Sequence, residues 1–374
     1  MSTVSYFIED YGVRGHNAVA LEDSIMQKGK QVTANSKILE GFVSPFNAAV
    51  AERLINAQFT VAGKTSMNEF GIPSLLNGQT EVLGAVKVVS DGVVDYALCN
   101  DIFGQYRKQA AENSCCYIHP TYGTVSRFGI IPLASSMDRI GVVCKNISDG
   151  FNVLSKIAGN DFRDGAMYPE KTYKYEISDK RIRIGIPKAV TQKDELFDEN
   201  VTKTLGECFQ TVDMELENFD VYKQVVYILS CAEISNNISR YDGVKFGYRT
   251  PAYRGVNELY INTRSEGFGT DVKLTALMGA MVLSQENYVP YYEKAMKVRR
   301  LIKNSLRFDN YDVIALPCSI GNDSYENLSL YALSALAGLP SVTFKHNGHN
   351  IQLVGNVKRE DLLLTAWEVC RHEL

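Results

Sequence analysis

The 374-residue chain contains one tryptophan, five histidines and no apolar run of about 18 residues. The last absence excludes a membrane-spanning helix. The N-terminal stretch MSTVSYFIEDYGVRGHNAV carries acids early and lacks an apolar h-region, so no secretory signal is expected. The eight cysteines are scattered, with only Cys115 and Cys116 close together, and no CxxC spacing occurs. Reduced thiols and a cytoplasmic location are the expectation. The net charge of −4 leaves no global basic excess, so direct nucleic-acid binding is not expected. Of His16, His119, His346, His349 and His372, only His346 and His349 lie near each other. They sit in an HNGHN turn with no evident third ligand, so they read as solvated turn residues rather than a metal site. Gly63-Lys64-Thr65 resembles the end of a phosphate loop, but Gln58 stands where that loop needs glycine. No GxSxG elbow is present. Nothing in the chain implies a cofactor.

Hydrophobic residues make up 45% of the chain and charged residues 22%, enough apolar material for a large core. Periodicity predicts a helix over 47–57 with Val50, Leu54 and Ile55 on one face, then a strand at 59–61. Ser148 reads as the N-cap of a helix that Gly159 stops. RIRIGIP, 181–187, alternates as a strand should. Helices are predicted at 198–210, 222–239, 271–285 and 288–307. They are followed by a strand at 312–316, a helix near 329–337, strands at 341–345 and 350–355, and a helix over 359–371. Residues 160–180 read as a surface connection. Helices interleaved with short apolar strands argue for a layered α/β fold, and no linker divides residues 1–374. Ser135-Ser136 offers a hydroxyl without an assignable base, so loop packing is the expectation there. Glu293, Lys294, Lys297, Arg299, Arg300 and Lys303 lie along one helix and read as a solvated face with i,i+4 pairs, or as a docking surface.

Several segments resemble the amidase-signature family, in particular its tRNA-dependent amidotransferase branch. They are Ser36 to Glu40, Val61 to Phe70 (VAGKTSMNEF), His119 to Arg127 (HPTYGTVSR), Ala134 to Gly141 (ASSMDRIG), Arg240 to Tyr248 (RYDGVKFGY), Thr263 to Gly269 (TRSEGFG), Tyr291 to Ile302 and Ala337 to Pro340. Their order is the family's order, from about residue 15 to the end. The resemblance implies one domain over 1–374 with a mixed central β-sheet covered by helices on both faces, and an active-site loop shortened near 71–97. In the family, a neutral lysine takes a proton through a bridging serine from a serine nucleophile, and a glycine-rich loop supplies amides for the oxyanion.

Carried onto this chain, the family's Ile-Lys-Asp-Asn-Ile segment is Leu21-Glu22-Asp23-Ser24-Ile25, which places Glu22 at the lysine. Its Thr-Asp-Thr-Gly-Gly-Ser-Ile-Arg segment is Asn100 to Arg107, which places Gln105 at the nucleophile and keeps Asp101, Gly104 and Arg107. Counting back at the family's spacing places Glu81 at the bridging serine. Leu274 and Thr275 stand where the family has a pair of arginines, and the loop over Cys318 to Leu330 is shortened. Losing a nucleophile and its base together costs on the order of a million-fold in turnover. The resemblance therefore implies a catalytically degenerate relative with no intact catalytic residue. Such a protein would assemble with B-like or C-like amidotransferase subunits, pair with another amidase-type chain, or bind a small amine or amino acid. The competing expectation is an acidic cleft in which Glu22 and Glu81 face one pocket beside Asp101 and Gln105 and support new chemistry. Residual amidase activity through Ser135, Cys115 or Cys116 is a further alternative.

Overall fold

The computed structural model describes residues 6–15, 17–74, 81–194, 197–321 and 323–372; His16, Gln79 and Thr80 lie outside them. Eleven strands form one sheet: β1 Phe7–Asp10, β2 Ala18–Glu22, β3 Thr60–Thr65, β4 Tyr96–Asn100, β5 Cys116–His119, β6 Ile140–Cys144, β7 Arg183–Pro187, β8 Gln210–Met214, β9 Val313–Pro317, β10 Ser341–His346 and β11 His349–Gly355. The helices are α1 Ala49–Asn56, α2 Gly84–Ser90, α3 Gln105–Glu112, α4 Ile147–Ile157, α5 Lys188–Thr191, α6 Lys203–Cys208, α7 Tyr222–Ile238, α8 Val256–Gly267, α9 Thr270–Val282, α10 Lys294–Ser305, α11 Ser324–Ala337 and α12 Glu360–His372.

The strand order is β1-β3-β2-β4-β6-β5-β10-β11-β9-β7-β8. β2 runs parallel to both β3 and β4, and β7 runs parallel to both β8 and β9, while the centre is antiparallel. Both faces are covered, as the period-two alternation of side chains shows. Val19, Leu21, Leu98 and Val142 join one hydrophobic cluster with α1 and α4. Ala18, Ala20, Ala97 and Val143 join a second cluster with α2 and α3. The mixed α/β architecture with helices on both faces is the one the sequence implies.

Local readings are corrected in places. Ile55 is 46% exposed while Val50 and Leu54 are buried, because Ile55 lies about 140° around the helix from Val50. Asn146, not Ser148, caps α4 by accepting from the Asp149 amide; the Ser148 hydroxyl donates to Glu368 on α12. The helix expected over 288–307 opens with a wide turn at Tyr288–Glu293, where Pro290 has no amide to give. His346 is buried rather than solvated, in register with His349 across the hairpin. Arg299 does not share the exposed face of α10: it turns inward to the Leu336 carbonyl and to Ser136. Lys64 lies within β3, fully buried, its ammonium donating to the Ile25 carbonyl.

Candidate functional site

The parallel trio β3-β2-β4 ends at Thr65, Glu22 and Asn100, and the chain leaves β4 through a tight loop into α3. In open α/β sheets this carboxyl edge is where ligands are held. Asp101 builds the loop. Its Oδ1 accepts the Gly104 amide at 2.7 Å, and its Oδ2 accepts the Arg107 amide and Nε, both at 3.0 Å. Gly104 is left-handed at φ 84°, and a Cβ there would lie 2.0 Å from the Tyr331 ring, so only glycine fits. The Arg107 guanidinium is fully buried, donates to Ser334 and lies over the Tyr331 ring at 4.9 Å.

Glu22, the last residue of β2, is fully buried. It shares a sheet face with Ala18 and Ala20, which turns it toward α3. Its carboxylate accepts the Tyr106 hydroxyl at 2.6 Å, the Asn100 amide at 3.1 Å and the Ser24 hydroxyl. Burial pushes its pKa up to about 7 against the opposing pull of these three donors, and the Asp101 charge adds to the rise. Asn100 carries the network onward. Its Nδ2 donates to Asp138 at 2.8 Å, and its Oδ1 accepts the Arg139 amide at 2.8 Å. Asp138 also accepts the Leu133 and Ala134 amides, and burial raises its pKa to about 6. On the neighbouring strand burial lowers the Lys64 ammonium to about 8, with Asp23, Glu9 and Glu22 pulling the other way.

Gln105 opens α3 and is held by both ends of its amide. Nε2 donates to the Gly71 carbonyl at 3.1 Å, and Oε1 accepts Asn68 Nδ2. Gly104 and Gln105 face a cavity of about 310 Å³ walled by Phe103, Lys108, Tyr227, Tyr325 and Tyr331. Glu22 does not reach it. Glu81 is exposed before α2, where its carbonyl accepts Gln109 Nε2 at 3.2 Å, and it does not line the cavity either. The single pocket shared by Glu22 and Glu81 is therefore not formed: one carboxylate is sealed under α3 and the other lies at the surface. Ser135 and Ser136 pack a loop, where the Ser136 amide and hydroxyl donate to Glu233. Cys115 and Cys116 are buried, with pKa values raised by burial. Leu274 is half-buried on α9, and the Thr275 hydroxyl donates to the Asp271 carbonyl.

Sequence reasoning missed Tyr106, Asn100 and Asp138. A signal existed for Tyr106, because a tyrosine one step along α3 from Gln105 faces the sheet rather than the cavity.

The eleven-stranded mixed sheet, the helices on both faces and the glycine-tight entry into α3 together define an amidase-type α/β protein. The chain belongs to the amidase family, whose profile, described as Amidase, matches residues 18–87 and 83–331. It is 37% identical over 369 residues to the A subunit of glutamyl-tRNA(Gln) amidotransferase from Lachnoclostridium phytofermentans, covering 87% of this chain and 74% of the relative. It is 34% identical over 408 residues to the protein of the same name from Listeria monocytogenes, covering 95% and 84%. Among solved structures, the glutamyl-tRNA(Gln) amidotransferase A subunit of Thermotoga maritima matches with a TM-score of 0.73 and 25% identity, over 96% of this chain and 86% of that one. The native peptide amidase of Stenotrophomonas maltophilia shares the fold, with a TM-score of 0.75 and 22% identity over 95% and 82%. No helix among the described residues is long and apolar enough to cross a membrane.

Proposed function

We propose that this chain is an amidase-family protein that binds rather than hydrolyses, working as a non-catalytic component of an amidotransferase-type assembly. The observation that carries the reading is the closed arrangement at Glu22. A carboxylate occupies the position that the resemblance gives to a lysine base, and it is sealed from solvent by the Tyr106 hydroxyl, the Ser24 hydroxyl and the Asn100 amide. A general base has to reach the proton it removes, and Glu22 is fully buried and does not line the cavity beside Gln105. Gln105, at the position that the resemblance gives to the nucleophile, carries an amide that does not attack carbonyl carbon, and Phe103, in the cavity wall beside it, stands where the resemblance gives a loop glycine.

Relatives named as one subunit of an amidotransferase suggest B-like and C-like subunits as partners. The test is ammonia release from glutamine and asparagine by the purified chain, with a glutamine-hydrolysing amidotransferase as the positive control. The expected result is no release above buffer; release that disappears in Ser135→Ala or Gln105→Ala overturns the reading. Co-expression with B-like and C-like subunits tests assembly, and a chain that elutes alone from such mixtures contradicts it.

The cavity beside Gln105 favours a second reading, small-ligand binding, since its volume lies in the range of small-molecule sites. Thermal-shift measurements with amines and amino acids test that reading, and no shift with any of them counts against it.

A further inference from the structure

A second cavity of about 410 Å³ lies on the same side of β2 as its outgoing loop. It opens to solvent and is bordered by that loop, by the segment before β6, by residues 163–165 and by the turn after α7. It shares no lining residue with the cavity beside Gln105. Its walls are aromatic. Phe42 and Phe246 meet at 5.2 Å between ring centroids, Tyr241 lies 6.3 Å from Phe246, and Phe128 closes another side beneath the Arg163 guanidinium at 4.3 Å.

The polar groups in this lining are spent unequally. Asp164 gives one oxygen to Arg127 Nη2 and the other to the Arg127 amide and Nε. Asp138 gives one oxygen to Asn100 and the Ala134 amide and the other to the Leu133 amide. Every carboxylate oxygen in the lining therefore already accepts a hydrogen bond. The donors are not used up. Arg163 binds Asp161 through Nε and Glu52 through Nη2, which leaves Nη1. Among the described residues Arg240 donates only to Asn237, through Nε to its carbonyl and through Nη2 to its Oδ1, which also leaves Nη1. Arg163 has its charge offset by two carboxylates, whereas Arg240 faces a neutral amide, so Arg240 is the cation an incoming anion meets.

We propose that this cavity binds a small carboxylate with an aromatic body, the ring packed among Phe42, Tyr241 and Phe246 and the carboxylate on Arg240. A guanidinium and a carboxylate match in geometry and form strong charge-assisted bonds. The guanidiniums of Arg127, Arg163 and Arg240 outnumber the carboxylates of Asp138 and Asp164 in the lining, and this net positive charge disfavours an ammonium group. The volume falls within the range of sites that bury a small molecule. This binding does not depend on whether the chain hydrolyses amides.

The experiment is calorimetric titration of the full chain with 3-phenylpropanoate, its neutral amide and the corresponding amine. The acid is expected to bind at least about tenfold more tightly than the amide, since a hydrogen bond to a charged group is worth more than a factor of ten, and the amine is expected not to bind. Arg240→Gln, at an exposed position, should weaken the acid by about tenfold or more and leave the amide unchanged. Phe42→Ala should weaken both. Equal affinity for acid and amide, no binding of the acid, or an Arg240→Gln protein that binds the acid as well as the parent each overturn the proposal. A Gly-Gly-Phe peptide with a free C-terminus is the remaining arm. If only the peptide binds, the occupant is a chain terminus and the small-molecule proposal falls.

Discussion

Replacing Glu22 with glutamine and following stability against pH puts a number on the sealed carboxylate. Its pKa rises from the ordinary 4.5 to about 7 in the fold, chiefly through burial. One pKa unit corresponds to about 1.4 kcal/mol, so the ionised form is roughly 3 kcal/mol less compatible with the fold than the protonated form. The folded state holds the proton more tightly than the unfolded chain. The stabilisation is therefore fully present below pH 4.5 and is lost as the pH rises through about 7. Glutamine's oxygen can keep the Asn100 amide and the Ser24 hydroxyl, which share Oε2, while its amide nitrogen takes the place of Oε1 and faces the Tyr106 hydroxyl, which can rotate to accept. The assay is urea unfolding of both proteins between about pH 5 and pH 8.5. Parent stability minus variant stability should fall by roughly 2.5 kcal/mol across that range, since part of the loss has already occurred by pH 5. Asp138, Asp23, Glu69 and Glu360 also have raised pKa values. They are present in both proteins and cancel in the difference. A difference that stays flat with pH refutes the reasoning, because it means that Glu22 ionises near its ordinary value and is not sealed.

Gly104→Ala, with its left-handed φ and a Cβ driven into the Tyr331 ring, should cost at least about 2 kcal/mol in urea unfolding. Asp101→Ala leaves the fully buried Arg107 guanidinium unpaired, and the expected loss is about 3–5 kcal/mol by the same measurement. Gln105→Ser installs a hydroxyl at the entry to α3 with no base beside it. Ammonia release from glutamine, followed by a coupled dehydrogenase assay, should stay at the level of the parent; turnover above it would show that a base reaches the site.

The periodic parts of the fold were the legible ones. α7 and α12 carry apolar faces at helical spacing, and the β10–β11 hairpin alternates around a glycine turn, so each was placed within a few residues. The strands β2, β4, β5 and β6 were not found. AVALE, YALCN, CYIH and IGVVC are short apolar runs buried on both sides, and a run with no polar side carries no period to read. At the site, the resemblance points to particular positions, but it does not give their arrangement. Spacing along the chain put Glu22 and Glu81 at neighbouring roles, whereas Glu81 lies at the surface before α2. Which way Glu22 points depends on the sheet face, and that is set by the parallel register of β2 against β3 and β4.

The residues around Glu22 are consistent with one another in a way that bears on function. A carboxylate buried at the end of β2 without donors would cost several kcal/mol, and the chain supplies three. Two of them, Tyr106 and Ser24, are side chains that a lysine at position 22 would not need as donors. Tyr106 reaches Glu22 from the inner face of α3, the same helix that presents Gln105 outward to the cavity. Restoring a base at position 22 would therefore require removing the tyrosine that now fills the space beneath α3. It would also require opening the Asn68–Gln105–Gly71 bridge that closes the loop above it. The arrangement favours a rigid floor under α3 over a mobile proton relay, which is what the proposed binding role requires.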